Sequence, residues 1–124
     1  PSQPGAVFPA YHVLADIGEF SGAEFAATSI GSPMQLYALA LRRGMRQRLI
    51  VANLRPRDAL VHLTDAIPAE AGMVRSRFLD EGTAESAARQ PAEFRNRWSR
   101  FAVDRPTTIG PYGVATFDLI GEDA

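Results

Sequence analysis

Hydrophobic and polar positions change rhythm about twenty residues into the chain. Apolar residues at Val13, Leu14, Ile17 and Phe20 follow the spacing of one helix face. Pro9 suits the first turn of that helix, where a missing N–H costs nothing, and Ser21-Gly22 should end it. From Glu24 onward the period shortens towards two, which predicts strands. "EFAAT" is a candidate first strand, broken by Ser32-Pro33. "MQLYALALRR" and "RQRLIVANL" read as two strong strands joined in a hairpin at Arg43-Gly44, where glycine can take a positive φ. "RPRD" is then a turn with Pro56 at its favoured position, and "ALVHLTD" is a further strand, giving a three-strand meander.

"AIPAEAG" reads as loop. "MVRSRFLD" alternates Val74, Ser76 and Phe78 with Arg75 and Arg77, as a strand with one dry and one wet face would. "GTAESAARQPAEFRNRW" is a helical insertion. Thr83 is placed to cap a turn over Ala84 to Arg89, and Pro91 to start a second through Arg97. "RFAVD", "TTI" and "GVATFDLI" carry strand propensity, the last with Ala115, Phe117 and Leu119 on one side. Between the final two strands, Gly110 and Gly113 flank Pro111 and Tyr112, an elbow that lets the chain swing from one sheet to another. A final strand buried between neighbours would hold down an end that otherwise frays. The expected fold is all-β, an antiparallel sandwich of about seven to eight strands with an N-terminal helix and a short helical insertion.

Size and composition fit a single domain. At 124 residues and 13.5 kDa, folding should bury roughly two-thirds of the extended chain's surface without help from disulfides or metals. A hydrophobic content of 46% with 22% charged residues argues against disorder, and the apolar runs are too short to span a bilayer. Every basic residue is arginine, yet fourteen carboxylates bring the net charge to -1, so nothing favours nucleic acid. The absence of cysteine suits a reducing compartment such as the cytoplasm but leaves localisation unknown. "PSQPG" reads as linker, and the start as an internal cut.

Candidate chemistry is sparse. His12 and His62 have no evident triad partners, and His12 reads as a helix residue facing a neighbouring domain. Asp80 with Glu81, Asp65 with Glu70, and Glu122 with Asp123 are too close in sequence to face each other across a glycosidic bond. Arg42, Arg43, Arg46 and Arg48 read as a wet hairpin end rather than an anion site. Arg95, Arg97 and Arg100 surround Trp98, whose indole could stack on a sugar or plug the core beneath the insertion. No phosphate loop, metal-ligand spacing or nucleophile elbow is present, and no cofactor is expected.

Four segments together carry a resemblance: "VFPAYHVLADIGEF", "SPMQLYALALRRGMRQRLIVANLRPRDALVHL", "VRSRFLDEGTAE" and "TTIGPYGVATFDLI". They resemble the C-terminal region of D-apionate lactonase-like proteins, and more loosely the β-sandwich that follows the TIM barrel in many glycoside hydrolases. The resemblance implies an accessory domain, with catalysis in an upstream barrel acting on a sugar-derived lactone or glycoside. No catalytic residue carries over. Residues 1–22 would then be linker and helix from the end of the catalytic domain, and 23–124 the sandwich. Phe8, Tyr11, Leu14, Ile17 and Phe20, with Val7, would form an apolar face for the barrel or for a second copy. The alternative is a carbohydrate-binding module that stacks sugars on Trp98, Tyr112 or Tyr37, and an enzyme in its own right ranks third.

Overall fold

The computed structural model describes residues 9–22, 24–29, 36–44, 46–63 and 73–120. Among them, helix α1 (Pro9–Gly18) precedes strands β1 (Glu24–Ser29), β2 (Leu36–Arg43), β3 (Arg46–Asn53), β4 (Ala59–Val61) and β5 (Met73–Leu79). The insertion forms α2 (Ala84–Arg89) and α3 (Pro91–Asn96), followed by β6 (Ser99–Ala102), β7 (Thr107–Ile109) and β8 (Val114–Ile120). Six strands make one sheet in the order β1-β2-β3-β8-β5-β6, and β4 pairs with β7 in a second. All pairings are antiparallel. The expected sandwich, its helix and its helical insertion are therefore present. The linker, the Ser32-Pro33 break, the "AIPAEAG" loop and the acidic tail lie outside the described residues.

Between the sheets sits a dry core built by alternation. Leu36 and Ala38, Leu49 and Val51, Val74, and Ala115 and Phe117 cluster with Ala59, Val61 and Ile109 from the smaller sheet and with Leu63 just after β4. Phe78 and Phe101 lie edge-on and tilted against Phe117, with centroids 5.9 and 5.7 Å away. Such pairs add to the area they bury. Ala115, Phe117 and Leu119 share the core side, as the alternation predicts.

The meander needs correcting. It runs β1-β2-β3, because β8 takes the place beside β3 and sends β4 to the other sheet. The hairpin is as expected: Arg43 pairs with Arg46, and Gly44 has φ 62°. The elbow does carry the chain from β7 in one sheet to β8 in the other, but its glycines are not the residues with positive φ. Tyr112 is, at 55°. Gly113 is needed for space instead, since a Cβ there would meet Gly110 O at 3.0 Å and Asp80 Cβ at 3.2 Å. Asn53, fully buried, pins the elbow: its amide donates to Ile109 O at 3.0 Å and Gly110 O at 2.9 Å, and its backbone N–H to Gly113 O.

The first turn of the insertion has the expected bounds and the second ends one residue early, at Asn96, but the expected cap is missing. Thr83 Oγ1 donates to Phe78 O and accepts from Asp80 N, both at 2.9 Å, so it locks the turn leaving β5 rather than capping α2. Asp80 Oδ1 accepts from Gly82 N in the same turn.

Candidate functional site: an arginine and carboxylate network under the first helix

The second face of the large sheet is polar yet covered. Register places Asp118 of β8 directly between Arg48 of β3 and Arg75 of β5, and Thr116 beside Arg77. Alternation thus delivers three arginines, a carboxylate and a hydroxyl to one patch. The dry-and-wet reading of β5 is half right: Arg75 and Arg77 do share the face opposite Val74, but only Arg75, its side chain 36% exposed, reaches solvent. The side chain of Arg77 is 3% exposed, because α1 and α3 lie over it.

Helix α1 supplies the missing charge. Asp16 Oδ1 accepts from Arg77 Nη2 and Arg95 Nη2, each at 2.6 Å, and Oδ2 accepts from Thr116 Oγ1 at 2.7 Å. Arg48 donates through Nε and Nη2 to both oxygens of Asp118, at 2.6 and 2.8 Å. Its Nη1 donates to the Asp16 carbonyl and to Glu19 Oε1. Arg75 reaches Asp118 Oδ2 from Nε and Nη2, and Arg77 donates to the Arg95 carbonyl. Charged donors on charged acceptors, with both oxygens of each Asp used, are what make a buried pair tolerable.

Arg48 corrects the hairpin reading. Arg42, Arg43 and Arg46 are exposed, but the Arg48 side chain is 1% exposed at the centre of the network. Burial alone would lower its pKa, and the hydrogen bonds it donates to Asp118 and Glu19 outweigh this and raise it. Arg95 is raised in the same way, against its burial, by Asp16 and Glu19. Arg77 goes the other way: burial holds it below the ordinary arginine value, and although Asp16 opposes this, nearby Arg95 and Arg48 add to it. Burial pushes Glu19 up, but hydrogen bonds from Arg48 and Arg95 hold it below its usual 4.5.

His12 is buried against this domain's own insertion. Its Nε2–H donates to Ala87 O at 2.8 Å, its Nδ1 faces Arg95 Nη1 at 3.3 Å, and its ring meets Phe94 edge-on at 4.6 Å. A carbonyl can only accept and a guanidinium only donate, so this geometry selects the neutral Nε2–H tautomer. Burial lowers its pKa, and Arg95 and Arg77 add to the effect against the Ala87 hydrogen bond and Asp16. His62 is exposed after β4.

The amphipathic reading of α1 also changes. Its inward side carries His12 and Asp16, with Phe20 just past the helix packed on Leu41 and Ile50 at 3% exposure. Leu14 is 68% exposed and Ile17 lies open beside it, while Val13 is half-buried against Leu79, Ala87 and Phe94. Polar groups go inward because the sheet beneath offers guanidiniums rather than carbon. Val7, Phe8 and the Tyr11 side chain lie outside the described residues, as do Asp65, Glu70, Glu122 and Asp123.

Trp98 is half-buried, and its guanidinium neighbours are not those nearest in sequence. Arg77 and Arg75 lie 4.0 and 4.1 Å from its ring centroid, with Arg48 at 5.7 Å. Arg97 pairs with Glu93 at the surface instead. Tyr112 stands 66% exposed on the elbow and Tyr37 is exposed on β2. Three strands separate β2 from β6, beside which Trp98 lies, so the three aromatics form no common platform. With both oxygens of Asp16 and of Asp118 occupied by donors, the network suits anchoring rather than proton transfer, and no His, Asp or Glu cluster suited to a metal occurs among the described residues.

No curated protein sequence matches the chain. A solved structure, a GH30 endoxylanase from Clostridium papyrosolvens C71, is similar with a TM-score of 0.62 at 14% identity. The match covers 93% of this chain and 28% of that one. At that identity the likeness speaks to the fold. Residues 33–117, from before β2 to within β8, match the sequence profile of the D-apionate lactonase C-terminal immunoglobulin-like domain. Together with the sandwich described above, that match places the chain in the family of C-terminal immunoglobulin-like domains of D-apionate lactonase.

Proposed function

We propose that the chain is a non-catalytic accessory domain that braces an upstream TIM-barrel hydrolase acting on a sugar-derived lactone or glycoside, with α1 as the coupling element. The observation that carries this reading is the two-sidedness of α1. One side is bolted to the sheet through Asp16, His12 and Phe20, and the other presents Leu14 and Ile17 to the outside. Val13 continues that side into an apolar groove of about 630 Å³ lined by Leu79, Val114, Pro56 and Tyr112. Exposed apolar surface beside a rigid anchor is what a domain contact requires. The family's C-terminal position and the 28% coverage of the GH30 enzyme support a larger parent.

The test compares two lengths of protein. Leu14→Ser with Ile17→Ser should leave thermal unfolding of the 124-residue chain nearly unchanged and lower that of the full-length parent. Equal, small effects in both would refute the brace. If the isolated chain dimerises through this face, the same variants should render it monomeric.

A second reading, sugar binding, is favoured by one observation: Tyr112 is exposed and held at positive φ above the groove. Titration with pectic apiose-containing oligosaccharides should show binding that Tyr112→Ala removes, and no binding at millimolar concentrations refutes this reading. Trp98 is less suited, since two guanidiniums already lie over its ring.

A further inference from the structure

The arginine network is not closed on its outer side. A cleft of about 350 Å³ opens between α1, the end of α3 and the strands, lined by Arg46, Arg48, Arg75, Arg95, Asn96 and Trp98, with Glu19 on its wall. Five guanidiniums (Arg46, Arg48, Arg75, Arg77, Arg95) stand against three carboxylates (Asp16, Glu19, Asp118) in and around it. Their donors are unequally used. Arg48 and Arg95 spend theirs on the network, whereas Arg46 has no ion pair or hydrogen bond among the described residues and only lies over Phe20 at 5.3 Å. Arg75 uses Nε and Nη2 on Asp118, and its Nη1 has no partner there either. Unspent guanidinium donors over a cationic floor are an anion site by construction.

We propose that this cleft binds a small hydroxy-carboxylate, its carboxylate held by Arg46 and Arg75 Nη1. A monoanion is preferred to a phosphate dianion because Glu19 faces the same space and repels the second charge more strongly. Hydroxyls of the ligand find acceptors in Glu19 and in Asn96 Oδ1, whose amide nitrogen already donates to Ala92 O. A neutral sugar has less reason to bind: the indole face it would stack on is taken by arginine. This site is independent of the proposed docking face and uses none of its residues.

Trp98 is the chain's single tryptophan and lines the cleft, so intrinsic fluorescence reads the site directly. D-gluconate should change the emission saturably at constant ionic strength, with glucose and sodium chloride as controls that do not. Arg75→Gln and Arg46→Gln should each raise the Kd about tenfold, the loss of one charge-assisted contact. Arg46 lies outside the buried network, so its variant keeps the fold and separates binding from stability. A Glu122→Gln, Asp123→Asn variant, which lacks the two carboxylates that follow β8 in sequence, is titrated alongside. Absence of a saturable change in both proteins, or an equal response to glucose, overturns the proposal.

Discussion

The two faces of the large sheet obey the same alternation and solve opposite problems. The inner face buries Leu49, Val51, Ala115 and Phe117 against a second sheet and asks only that volumes fit. The outer face buries Arg48, Arg77, Thr116 and Asp118, which must find partners of opposite charge at the right distance. Asp118 finds its partners, Arg48 and Arg75, on neighbouring strands of the same sheet, whereas Arg77 and Thr116 depend on a helix. Asp16 comes from 61 residues before Arg77 and 100 before Thr116. The dry face therefore gains its stability from removing carbon from water, whereas the polar face fixes where one particular helix must sit.

The largest break in this contrast should come from Asp16→Ala. It leaves Arg77 and Arg95 in a buried site without their shared carboxylate, and the expected loss is about 3–5 kcal/mol in denaturant unfolding. A loss below about 1 kcal/mol would mean that the polar face is hydrated in solution.

A double substitution sharpens the contrast. Arg48→Met or Asp118→Leu alone should destabilise by about 3 kcal/mol, because each strands a buried charge. Together they should cost clearly less than the sum, since the polar face then becomes locally dry. An additive cycle would show that the two groups are not coupled.

The pH dependence should be smaller and one-directional. His12 has a lowered pKa in the fold, so the unfolded chain binds its proton more readily. Its contribution is present above the ordinary 6.5 and is lost as pH falls through the depressed folded value. Glu19 then adds a further loss below 4.5. Thermal unfolding followed from pH 8 down to pH 4 checks this, and His12→Gln should flatten the upper part. The smallest effect belongs to the surface: Arg89→Ala breaks an exposed i,i+4 pair with Glu85 and should change stability by less than about 0.5 kcal/mol.

The dry face was legible in the sequence and the polar face was not, for a physical reason. A period of two reports which side a residue faces, and it placed Val74, Phe78, Ala115 and Phe117 correctly. It carries no information on what covers the other side, so Arg48, Arg75 and Arg77 read as solvated charge. Their cover is helix α1, whose relevant residues are polar and so look outward-facing in a hydrophobicity pattern. The same limit appears in the elbow. Its glycines marked a sharp turn, and the switch between sheets followed, but the positive φ fell on Tyr112, which no propensity favours. Trp98 does meet guanidinium groups, but they are Arg75 and Arg77 from across the sheet and not the sequence neighbours Arg95, Arg97 and Arg100 that the pattern suggests.

Removal of residues 1–22 is the most direct test of whether α1 is built into this sandwich rather than merely leading to it. Without α1, Arg48, Arg77 and Arg95 lose Asp16 and Glu19 together, and the account predicts that residues 23–124 lose their cooperative thermal transition or unfold far below the whole chain. A truncated chain that unfolds cooperatively at the same temperature would contradict it.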